Sequence, residues 1–98
     1  MWIDYDEGKT IGTVGSENGE IVYDIEYNGS ARITVECCER YYGITVGIYG
    51  SMVHTVFCNG DEYPQKVTDM KKDIECFCGR DNTLAEINKF CGDFYKKY

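Results

Sequence analysis

The sequence predicts an α+β domain: an antiparallel meander of four to five strands, then two helices packed on one face of the sheet. Two observations carry this. Between residues 20 and 58, the segments EIVYDIEY, ARITVECC, YGITVGIY and MVHTVFC are rich in β-branched and aromatic residues. They are separated by the turn signals NGS, ER and GS. From residue 61 onward the apolar spacing changes to alternating steps of four and three, the period of a helix. A chain of 98 residues, 43% hydrophobic and 28% charged, fits a single small domain over 1–98.

Residues 1–19 are Gly-rich and irregular, with WIDY as a short edge strand and GKTIGTVGSENG mostly loop. EGKT at 7–10 lacks the surroundings of a phosphate-binding loop. That motif needs a glycine where Ile3 stands, a strand before it and a helix after it.

The strand register follows from keeping one face apolar. A two-residue Asn28-Gly29 turn would pair Ile25 with Arg32 and Asp24 with Ile33, mixing both faces. A three-residue loop, Asn28 to Ser30, pairs Ile25 with Ile33, Tyr23 with Val35 and Glu26 with Arg32. Glu39-Arg40 as the next turn sets Cys37 against Tyr42, Val35 against Ile44 and Ile33 against Val46. Gly50-Ser51 as a two-residue turn sets Ile48 against Val53 and Ile44 against Phe57. The expected core face is Ile21, Tyr23, Ile25, Ile33, Val35, Ile44, Val46, Ile48, Val53 and Phe57.

In the first helix the stripe is Tyr63, Val67, Met70, Ile74 and Phe77, with Asp61 as N-cap, Pro64 in the first turn and Gly79 as the stop. Thr83 to Glu86 reads as a capping box opening the second helix. Its expected buried stripe is Leu84, Ile87, Cys91 and Phe94, widened by Phe90, and Lys96 and Lys97 suit its C-terminal end.

The opposite sheet face then carries the row Glu26, Arg32, Gly47, His54. The neighbouring rows are Asp24, Thr34, Thr45, Val56 and Val22, Glu36, Gly43, Cys58. Gly43 and Gly47 leave a shallow trough, and Tyr41 and Tyr49 stand outward at its ends. His54, the single histidine, is about 13 Å from Cys58 along the strand, too far for a nucleophile and its base. Arg32 and His54 flank Gly47 and could clamp an anion. The contrary reading is a solvated strand with a cross-strand ion pair, and no reaction is named by any motif.

Seventeen acidic against ten basic residues give a net charge of −7. That opposes nucleic acid and acidic membrane surfaces as partners and suits a basic protein. The acidic N-terminus does not read as a signal peptide, so a cytoplasmic location, in a bacterium, is expected. The six cysteines show no C-x-x-C spacing and read as reduced thiols. No metal or cofactor is expected. Nine tyrosines supply interface-type anchors, although tyrosine also favours strands.

In size, charge and build, and most across RITVECCERYYGITVGIYGSMVHTVFC, the chain resembles the immunity proteins of bacterial toxin–immunity pairs. The resemblance implies a non-enzymatic inhibitor that neutralises a basic toxin by occluding its active site. The residues expected to meet such a partner are Asp24, Glu26, Arg32, Glu36, Tyr41, Tyr49 and His54. The alternatives are a small-molecule or anion-binding trough at Arg32, Gly47 and His54, and a homodimer through the same face.

Overall fold

Five strands form one antiparallel sheet in chain order: β1 (Trp2–Asp4), β2 (Glu20–Tyr27), β3 (Ala31–Cys37), β4 (Tyr42–Ile48) and β5 (Met52–Cys58). Two helices follow, α1 (Tyr63–Cys78) and α2 (Leu84–Lys97). This is the architecture of a computed structural model that describes residues 1–79 and 81–98. The α+β meander is the expected one, and Trp2–Asp4 of WIDY supplies its short fifth strand at one edge.

The first hairpin shows how register is set. Asn28 and Gly29 both have positive φ, 48° and 71°, and the Ser30 amide donates to the Tyr27 carbonyl. That is the geometry of a type I′ turn, which Asn-Gly favours. Tyr27 nonetheless lies opposite Ala31, so Ser30 is one extra residue. The extra residue brings Ile25 against Ile33 and Glu26 against Arg32, as the apolar pattern requires. The β3–β4 register also matches, with Cys37 opposite Tyr42 and Ile33 opposite Val46.

Two stretches depart from expectation. A bulge between Ile21 and Tyr23 puts Ile21, not Val22, opposite Glu36. Val22 therefore packs toward the helices, and the Ile21 side chain goes to the other face, while its backbone bonds to Gly12 and Thr13. The last hairpin differs more. Its loop is Tyr49 to Ser51, three residues, with Gly50 at φ 78° and the Ser51 amide donating to the Ile48 carbonyl. Ile48 thus pairs with Met52, and Ile44 with Val56. This one-residue difference turns the whole of β5 over. Met52, Val56 and Cys58 enter the core, while Val53 and Phe57, expected inside, are 72% and 54% exposed.

The core lies between the sheet and the helices: Ile25, Ile33, Val35, Ile44, Val46 and Ile48 meet Val67, Met70, Ile74, Cys91 and Phe94. Phe77 is also buried, stacked on Phe90 at 4.1 Å between ring centroids. Asp61 does not cap α1. Glu62 precedes the helix with helical angles already in place, because a turn on the Asn59 carbonyl leads the chain in. The Glu62 carboxylate accepts from the Asn59 amide within that turn. The Thr83–Glu86 capping box is formed in both directions. Leu84, in the first turn of α2, is 73% exposed, and the stripe reaches the core only from Ile87 onward.

Residues 5–19 cross the second sheet face as a strap over β2 and β3. Thr10 bonds Asp24, Val14 bridges Glu20, and the Glu17 and Gly19 amides donate to Glu36. The strap divides that face into a covered half on β2–β3 and an open half on β4–β5.

Candidate functional site

Under the strap, two of the three carboxylates expected to meet a partner are sealed. Asp24 is 2% exposed and Glu36 is 1% exposed. Asp24 accepts from Arg32 Nε and Nη2 at 2.9 and 2.7 Å, and from the hydroxyls of Thr10 and Thr34. A buried carboxylate is tolerated only with such a full set of donors. The Arg32 guanidinium also lies over the Tyr5 ring, 3.5 Å from its centroid. The Asp24 hydrogen bond holds the Arg32 pKa above its ordinary value, against an opposing effect of burial. Glu36 is held by the strap amides of Glu17 and Gly19. Asp24 and Glu36 therefore anchor the strap, and Arg32 is committed to Asp24. None of the three stands free on the surface, because the strap's donors and Arg32 satisfy charges that water would otherwise solvate.

Glu26, Tyr41 and Tyr49 remain accessible. Tyr49 is 45% exposed, and its hydroxyl donates to Glu26 at 2.5 Å. Burial, then that carboxylate, push the Tyr49 phenol pKa upward, so it stays protonated as a donor. Tyr41 is 42% exposed and packs edge-on against Phe57, ring centroids 5.1 Å apart.

His54 is not on this face. The register change places it opposite Val46, toward α2, with its ring 4.5 Å from Tyr95 and 6.5 Å from Phe94. Its Nε2 is buried and has no hydrogen-bond partner among the described residues. The anion clamp of Arg32 and His54 therefore does not form: the sheet itself separates the two side chains. Val53 takes the place expected for His54, opposite Gly47.

The trough at Gly47 does exist. It is a half-open hollow of about 550 Å³, bordered by Arg32, Thr34, Thr45, Tyr49 and Val53, with Gly47 at its floor. Gly47 has an ordinary φ, and a Cβ added there would come no nearer than 3.9 Å, to the Met52 carbonyl. Neither backbone conformation nor packing requires glycine at this position, yet glycine weakens a strand. Its effect is to keep the hollow empty. Gly43, at the far end of β4, is close to Phe57 and Glu17 instead.

No family model matches this chain, and no curated protein or solved structure matches it. Function has to be read from the geometry.

Among the described residues, no group of three or more His, Cys, Asp or Glu is placed to hold a metal ion. All six cysteines are free, and burial pushes the thiols of Cys58, Cys78 and Cys91 up, away from the reactive thiolate. No helix among the described residues is long and apolar enough to cross a membrane. What the open half-face offers is contact area. From Tyr41 to Gly60 there is no Asp, Glu, Lys or Arg, in a chain that is 28% charged. Val53 and Phe57 were missed as surface residues, although this uncharged run was a readable signal of an unusual hairpin.

Proposed function

We propose that this chain is a non-enzymatic protein-binding module of the immunity type, a bacterial cytoplasmic inhibitor that docks on a basic toxin and covers its active site. The observation that carries this reading is the uncharged β4–β5 face, with its hollow at Gly47, on a molecule of net charge −7. Protein interfaces concentrate their binding energy in an uncharged, aromatic centre and leave charge to the rim. Here Tyr41, Tyr49, Val53 and Phe57 supply the centre, and the hollow accepts a side chain from the partner. The acidic excess elsewhere steers a basic partner and fades with salt. The contact thus moves from Asp24 and Glu36 to the neighbouring, open half of the same face.

Gly47→Leu is the test, because it puts side-chain volume into the hollow from a position where an added Cβ meets nothing nearer than 3.9 Å. Tagged protein is exposed to lysate of the source organism at low salt, and eluates are identified as salt rises. The expected result is one basic protein retained stoichiometrically, inhibited when bound, and lost with Gly47→Leu at unchanged melting temperature. Retention indifferent to Gly47→Leu, or no retained protein, would overturn the reading.

A second reading rests on the hollow's size, which lies within the range of small-ligand pockets. Arg32 would then orient the ligand, with its charge already largely balanced by Asp24.

A further inference from the structure

We infer that the free edge of β5 pairs with β5 of a second copy of this chain, antiparallel about a two-fold axis at Thr55. The backbone sets the geometry. The Tyr49 amide donates to the Ser30 carbonyl, which fixes which residues of β4 bond toward β3 and, by alternation, which bond toward β5. Met52, His54, Val56 and Cys58 then bond to β4, leaving the amides and carbonyls of Val53, Thr55 and Phe57 pointing outward. The Tyr95 hydroxyl agrees with this, since it reaches the Val53 carbonyl from outside the sheet at 3.0 Å.

Exposed edges invite pairing, and natural edge strands are guarded by charges, prolines or extreme shortness. β5 has none of these. It runs from Met52 to Cys58 without a charged residue or a proline. The opposite edge, β1, is only three residues long.

The sequence of β5 is suited to itself. An axis at Thr55 sets Thr55 beside its own mate and Val53 beside Phe57 of the other copy, a β-branched–aromatic pair on the exposed face. Each of these pairs has the outward backbone groups to exchange both hydrogen bonds. Charge selects the same surface. Two molecules of charge −7 repel, and the uncharged hairpin is the stretch through which they can meet. The bond from Tyr95 to Val53 must be released for pairing, which weakens the association.

This inference does not rest on a toxin partner, since edge pairing leaves the Gly47 hollow open and sets two such faces side by side. Salt separates the two ideas: screening strengthens association of like-charged copies but weakens docking to a basic protein. Sedimentation velocity over a wide concentration range tests the pairing, with hydrogen exchange read at Thr55 and Phe57. The expected result is a dimer tightened by salt, with both amides gaining protection as dimer forms. Val53→Lys, at a position 72% exposed, should weaken it at least about tenfold without lowering the melting temperature. A monomer at millimolar concentration, or a dimer that tolerates Val53→Lys or leaves these amides unprotected, would overturn it.

Discussion

The His54 ring is wedged between β5 and α2, edge-on to Tyr95, with Nε2 buried and unpartnered among the described residues. An orphaned buried polar atom costs about 1–3 kcal/mol, and a ring of the same shape without the nitrogen avoids that cost. His54→Phe is therefore expected to raise stability by about 1 kcal/mol, read from urea unfolding. On an exposed polar strand the same change would be neutral or harmful, so the sign also tests the register of β5. Arg32, expected to meet a partner, is instead tied to the buried Asp24. Arg32→Glu would act on the fold more than on partner binding, because it strips a buried carboxylate of its cation and adds a second negative charge.

At the scale of elements, the strap is held by the buried Glu36, whose donors are the Glu17 and Gly19 amides. A Cβ at Gly15 would overlap that carboxyl group. The carboxyl is the end of a flexible side chain, but it can move only by leaving its donors. Gly15→Ala should therefore lower stability by about 1–3 kcal/mol and speed hydrogen exchange at Glu17 and Gly19. Elements with a local periodic signal were legible in the sequence: the meander, the α1 stripe and the Thr83–Glu86 capping box. The strap was not, because residues 5–19 carry no period and their partners lie on other strands. That is also why Asp24 and Glu36 read as surface carboxylates, since alternation places them away from the helices without revealing what covers them.

Across the whole molecule, Asp73 ties the two helices together, accepting from Lys97 Nζ at 2.9 Å and from the Tyr98 hydroxyl at 2.6 Å. Burial alone would raise its pKa. The hydrogen bonds from Tyr98 and Lys97, with the Lys97 charge, outweigh burial and bring it below the usual carboxylate value. A pKa lower in the folded state means stability that is fully present above the unfolded value, about 4. It is lost as pH falls through the folded value. Asp73→Asn should therefore be less stable than the parent at pH 7, with the gap closing below about pH 4. Urea midpoints at pH 7 and pH 3 measure this. An equal gap at both would mean that the ion pair contributes nothing through its charge.

The sequence by itself determined the order of elements, the helix-facing sides of β3 and β4, and the net charge of −7. These follow from periods of two and of three to four, and from counting, which need no knowledge of distant contacts. Tertiary structure decided the face of β5 and the burial of the second sheet face. MVHTVFC has apolar residues on both of its sides, so its pattern could not choose between loops of two and three residues. The choice fell to packing beneath the helices, which sets His54 against α2 and Val56 in the core and leaves Val53 and Phe57 outside. A one-residue change in a turn costs little locally, but it inverts every side chain that follows in the strand.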